Sequence, residues 1–181
     1  MNRIHIIGSS GTGKTSLAQK AAQRLNISHV ELDDLHWGEN WQQAELEDFR
    51  RDVRQALSGA TWVVDGNYSK VRDIVWERAR MVVWLDYSLG LALWRLLRRS
   101  LRRMLTGELL WGRNRETFRA LFLSRDSLIL YLLQTHRTRR ARYEALIQDP
   151  AYGSIQFIRL RTPDQTRQWL DSLNQSQNIQ R

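Results

Sequence analysis

The sequence predicts an α/β fold in three layers, a five-stranded parallel sheet between helices, with a helical insertion in the second half of the chain. Three observations carry this. Five short apolar runs, at positions 4–7, 29–32, 62–64, 81–85 and 155–160, have the length of strands buried on both faces. Apolar residues between them return at helical spacing, as in Leu17, Ala18, Ala21, Leu25 and again in Leu46, Phe49, Val53, Leu57. The first run also passes directly through a glycine-rich turn into a helix, a strand–loop–helix unit.

That turn, Gly8-Ser9-Ser10-Gly11-Thr12-Gly13-Lys14-Thr15, fits G-x-x-x-x-G-K-[ST], the phosphate-binding loop of P-loop NTPases. Glycines let the backbone bend closely around phosphate oxygens, so that successive N–H groups and the helix N-terminus face the anion. Lys14 is expected to reach the β- and γ-phosphates, Thr15 to offer its hydroxyl to Mg²⁺, and Ser16 to add a contact near the α-phosphate. The expected cofactor is therefore ATP with Mg²⁺, bound by Gly8 through Ser16.

Composition bounds the rest. A chain of 181 residues with 42% apolar residues and two prolines can bury one good core. We read residues 1–173 as one domain, 88–147 as its arginine-rich helical or lid segment, and 174–181 as a polar tail. Without cysteine there are no disulfides or thiolate metal sites. No run approaches the eighteen or so apolar residues of a membrane span, and the N-terminus lacks a secretory core, so a cytoplasmic protein with no membrane partner is expected.

The net charge of +9 is unevenly spread. Positions 95–142 hold thirteen arginines against three acids, a net of +10, whereas positions 31–52 hold eight acids against two arginines. Arginine outnumbers lysine twenty-five to three, and its planar fork grips phosphate bidentately.

Along the chain, Asn26 reads as a helix stop, and the second strand is expected to end in Asp33-Asp34. Carboxyl ends of strands carry ligand chemistry in doubly wound sheets, so Asp33 is a candidate general base or a group that orients a ligand of Mg²⁺. His36, Trp37 and Trp41 follow; Trp37 and Trp41 could wall a planar substrate or staple the next helix. The third strand delivers Asp65, a candidate for orienting Mg²⁺ through water, followed by Gly66, Asn67 and Tyr68 on the substrate side. After the fourth strand comes a helix with Trp94, Leu97, Leu101 and Met104 on one face. Arg95, Arg98, Arg99, Arg102 and Arg103 cluster within about 140° opposite them. Positions 106–116 contain Gly107, Gly112 and Asn114 and carry Arg113 and Arg115, an irregular interval that reads as a lid bringing cations to a transferring phosphoryl group. Positions 118–142 are expected to be helical.

These motifs resemble the adenylate-kinase-like branch of P-loop kinases. Within it they are similar to small bacterial topology-modulation (FlaR-like) proteins, through the phosphate loop, Glu31-Leu32-Asp33-Asp34-Leu35-His36-Trp37, Trp62-Val63-Val64-Asp65-Gly66-Asn67-Tyr68, Val83-Trp84-Leu85-Asp86-Tyr87, Gly112-Arg113-Asn114-Arg115-Glu116 and Phe122-Leu123-Ser124-Arg125-Asp126. The resemblance implies a closing lid, ATP with Mg²⁺, and arginines around the phosphates. Arg95 and Arg99 are similar to the pair before the lid, and Arg125 with Arg139 to the pair after it. Asp65-Gly66 lacks the following arginine that holds an acceptor phosphate in those kinases; Arg72 could substitute.

The expected function is transfer of the ATP γ-phosphoryl group to an unidentified small-molecule or nucleotide acceptor. The catalytic candidates are Lys14, Asp33, Arg99, Arg113 and Arg115; the substrate candidates are Asp33, His36, Trp37, Asn67, Tyr68, Arg72 and Arg125; Thr15 and Asp65 are the metal candidates. The alternative is an ATP-binding nucleic-acid-associated or regulatory protein, which the arginine-rich segment invites.

Overall fold

In the structure, a computed structural model, residues 2–107, 109–111, 114–115 and 127–178 are described. The sheet is built from β1 (Arg3–Gly8), β2 (Ser28–Glu31), β3 (Trp62–Asp65), β4 (Met81–Leu85) and β7 (Gln156–Leu160). Their order is β2-β3-β1-β4-β7, and every neighbouring pair is parallel. A two-residue hairpin, β5 (Leu109–Leu110) with β6 (Asn114–Arg115), stands apart.

Alternation along the strands divides the core. Ile4, Ile6, Val63, Val83 and Leu85 face α1 (Lys14–Leu25) and α7 (Pro163–Asn178). Ile7, Trp62, Val64, Val82 and Trp84 face the layer containing α3 (Leu46–Ala56), α4 (Arg72–Arg78) and Tyr143 of α6 (Leu128–Gln148). With both faces covered, strands made of Val, Ile, Leu and Trp need no polar side. Each fully buried side chain of this size contributes about 2 kcal/mol. Asn26 closes α1 in the left-handed conformation, φ 53°, as its sequence position predicts.

Two expectations are corrected. Strand β2 ends at Glu31, and Leu32–His36 form a short helix, α2, so Asp33 and Asp34 lie in a first helical turn rather than on a strand end. Carboxylates favour that place because the helix N-terminus is partially positive. In α5 (Leu89–Thr106) the apolar face named above is not the one the fold covers. Ala92, Leu96 and Ser100 are buried, while Trp94 and Leu101 are 55% and 47% exposed. Small residues win there because the helix backbone packs directly on the phosphate loop. Helix α7 runs on to Asn178, into the polar tail, where the run Asn174 to Asn178 contains no Gly or Pro to stop it.

Candidate functional site

The loop between β1 and α1 takes shapes that glycine alone accepts easily. Gly8, Gly11 and Gly13 have φ of 154°, 81° and 90°. A Cβ on Gly8 would stand 2.8 Å from both the Leu85 carbonyl oxygen and the Thr12 hydroxyl, and one on Gly11 would overlap the Ala92 carbonyl oxygen of α5. Thr12 is buried and turns inward, its N–H and hydroxyl both donating to the Ser9 carbonyl at 3.3 and 2.8 Å. Lys14 donates its ammonium to the same carbonyl at 3.2 Å. Burial pushes the Lys14 pKa down, Asp33 and Asp65 oppose the shift, and Arg139 and Arg99 add to it. Those four groups therefore act electrostatically on the lysine of the loop.

Asp65 closes β3 opposite Glu31 of β2 and is 1% exposed. Its Oδ2 accepts the Thr15 hydroxyl at 2.7 Å, and its Oδ1 lies 2.7 Å from His29 Nε2. A hydroxyl and a carboxylate suit a hard cation, and Mg²⁺ characteristically uses one or two carboxylates and completes its shell with phosphate oxygens and water. Among the described residues no group of three or more His, Cys, Asp or Glu could hold a metal ion. Sequence reasoning missed His29, whose place in the site comes from the pairing of β2 with β3.

On the other side of Lys14, Tyr68 donates its hydroxyl to Asp33 Oδ1 at 2.6 Å. Burial, followed by the Asp33 charge, raises the Tyr68 pKa, keeping the phenol a donor. Glu31, also missed, is pushed up to about 7 by burial and then by Asp65 and Asp33, against the opposing Trp111 indole and His29. His36 is 8% exposed, with ring centroids 4.9 Å from Trp37, 4.9 Å from Phe49 and 4.7 Å from Tyr68. Burial lowers its pKa, so it packs as a neutral ring. Asn67 turns its amide on the phosphate loop, accepting the Gly8 N–H at 3.2 Å and donating to the Gly8 carbonyl. Arg72 begins α4 and stacks over Trp76, 5.5 Å from the ring centroid.

The arginines divide. Arg95 donates to the Thr12 carbonyl at 3.3 Å and lies 5.1 Å from the Tyr87 ring centroid, so it braces the loop from behind. Arg99 and Arg139 act on Lys14. Arg139 donates to the Tyr131 hydroxyl at 2.5 Å and stacks on that ring, both residues being in α6. Arg113 and Arg125 lie outside the described residues, and Arg115 is described through its backbone in β6 only.

No protein-family model matches the chain, and no curated protein does. Solved structures match nearly all of it. A shikimate kinase from Bacteroides thetaiotaomicron superposes with TM-score 0.57 at 16% identity, covering 98% of each chain. A sugar kinase from Janibacter sp. gives 0.53 at 18%, over 97% of this chain and 91% of that one. A gluconokinase from Sinorhizobium meliloti gives 0.52 at 18%, over 99% and 97%. Identities this low speak to architecture, and with the sheet order and loop above they show that the chain has the α/β fold of P-loop kinases.

Proposed function

We propose that the protein is an ATP-dependent phosphotransferase that moves the γ-phosphoryl group onto a hydroxyl of a small acceptor. The observation that carries this reading is the Tyr68–Asp33 hydrogen bond within electrostatic reach of Lys14. It pairs an oriented carboxylate with the cation of the phosphate loop.

In this reading the backbone from Gly8 to Ser16 cradles the nucleotide phosphates, and Lys14 leaves the Ser9 carbonyl for the β- and γ-oxygens. Thr15 and Asp65 would hold Mg²⁺, which supplies charge neutralisation between the phosphates when bound. Asp33 accepts the proton of the acceptor hydroxyl through Oδ2, because Oδ1 is taken by Tyr68. Arg99 and Arg139, with Arg113, Arg115 and Arg125 as further members, meet the charge spread over the transferring group. His36, Trp37, Asn67, Tyr68 and Arg72 border the acceptor. The shikimate kinase and sugar kinase likenesses support a small-molecule acceptor. The motif resemblance supports placing the chain near the topology-modulation (FlaR-like) group.

A screen of hydroxylated acceptors with Mg-ATP, scored by acceptor-dependent ADP release, tests the proposal. Turnover that disappears in Lys14→Ala with the fold intact supports it; no affinity of the wild type for Mg-ATP by calorimetry refutes it. The second reading, a nucleic-acid-associated ATP-binding protein, is favoured by one observation, the exposed Arg98 and Arg102 on α5. Steeply salt-dependent DNA binding, unaffected by Lys14→Ala, would select it.

A further inference from the structure

The β5–β6 hairpin is fastened to the turn that follows α2. Asn114 on β6 is 2% exposed and uses both ends of its amide on the turn that follows α2. Its Oδ1 accepts the Trp41 N–H at 3.0 Å, and its Nδ2 donates to the Gly38 carbonyl at 2.9 Å. These bonds join segments more than seventy residues apart, and a buried amide satisfied at both ends specifies one docking geometry.

Indoles meet beside it. Trp41 lies 5.9 Å from Trp111 at 82° and 5.8 Å from Trp37 at 77°. Trp41 and Trp111 both have left-handed backbones, with φ of 60° and 50°. For bulky side chains this conformation is strained and persists only where the surroundings over-determine it. Here the Trp41 N–H is held by Asn114, and the Trp111 indole reaches the Glu31 carboxyl at the end of β2, two residues before Asp33.

We propose that Asn114 makes the β5–β6 hairpin a wall of the acceptor pocket, with Trp111 and Trp41 as its specificity-determining surface, rather than a cover for the nucleotide. Indole rings beside the Glu31 carboxyl, two residues before Asp33, suit an acceptor that lays C–H groups on an aromatic ring and offers hydroxyls to the acids, as a small polyol does. The consequence for turnover rests on the kinase reading; the docking of the hairpin and its independence from nucleotide do not. Asn114 is a positioning residue here, acting through the two tryptophans.

The test uses Asn114→Asp, nearly isosteric, and Asn114→Ala, both checked for an unchanged melting profile. Hydrogen exchange over residues 38–42 is expected to accelerate about tenfold or more, while the affinity for mant-ATP with Mg²⁺ stays within about twofold. For whichever of glycerol, myo-inositol, ribose, gluconate or shikimate the wild type phosphorylates, KM rises about tenfold, a larger change than any fall in kcat. Trp111→Phe keeps a low KM and Trp111→Ala does not. Weakened mant-ATP binding with unchanged exchange, or an unchanged KM in the Asn114 variants, overturns the inference. If the wild type binds mant-ATP but phosphorylates none of the five, the kinase reading is what fails, and exchange with nucleotide affinity still decides where the hairpin belongs.

Discussion

Tyr68 and Asp33, thirty-five residues apart, share a 2.6 Å hydrogen bond that occupies Oδ1 of the carboxylate and leaves Oδ2 for the proposed acceptor. General-base groups contribute about 10²–10⁴ in rate. Asp33→Asn is therefore expected to lower kcat by about 100-fold or more. Tyr68→Phe, which only frees the carboxylate to rotate, is expected to lower it about tenfold, and mant-ATP affinity is expected to hold in both. Stopped-flow ADP release and fluorescence titration check this; equal losses in nucleotide affinity would show that the pair serves the loop instead.

Glu31 predicts a stability that falls with rising pH. Its carboxyl is raised to about 7 in the fold against an ordinary value of 4.5, so the folded state favours the protonated form. That contribution is complete below pH 4.5 and disappears as pH rises through 7. Glu31→Gln, measured by urea unfolding in magnesium-free buffer, should be more stable than wild type by about 2 kcal/mol at pH 8 and equal to it near pH 4.5. A constant difference across that range would contradict the crowding of Glu31 by Asp65 and Asp33.

His5 gives the opposite slope. The Trp76 indole donates to His5 Nδ1 at 2.9 Å, which leaves Nε2–H to donate to the Gly66 carbonyl at 2.9 Å. Burial lowers the His5 pKa from 6.5 to about 4, against the Gly66 bond and the Asp65 charge, with Arg72 lowering it further. The unfolded chain thus takes up its proton first as pH falls. The stability His5 contributes is whole above pH 6.5 and is lost toward pH 4, about 3 kcal/mol in all. Wild type should lose that much more than His5→Gln between pH 7 and pH 4; parallel curves would show the ring to be solvated.

Gly11→Ala places a methyl against the Ala92 carbonyl at a φ of 81°. The obstacle is backbone, so the loop or α5 must move. A cost of about 2–4 kcal/mol is expected, with loss of mant-ATP binding. An urea midpoint unchanged from wild type would mean that α5 does not rest on the loop.

Much of the architecture was legible in the sequence because strand and loop signals are local. The continuous apolar run at 81–85 matches β4 residue for residue, and the glycines of the phosphate loop occupy the positive-φ positions their spacing implies. The orientation of α5 was not legible: Trp94 and Leu101 outweigh Ala92 and Ser100 on any hydropathy count, yet close approach to Gly11 selects the small residues. In the candidate site, Lys14 and Thr15 follow from the motif and Asp65 from its place at the end of an apolar strand, whereas Asp33, expected on a strand end, sits in the first turn of α2. His29, Glu31 and the reach of Asn114 to Gly38 depend on pairing across the sheet and across the chain, which no local pattern encodes.

The Asn67 side chain engages Gly8 at both its N–H and its carbonyl, and the Tyr143 hydroxyl donates to the same Asn67 oxygen at 3.2 Å. The segments leaving β1 and β3 are thereby stapled into a single rigid floor, with a post rising from α6. Ligands entering from either side meet a base that cannot part beneath them. In the proposed reading, any closing motion is then hinged in the helical arms, and the spacing between phosphate cradle and acceptor seat is set once, when the chain folds.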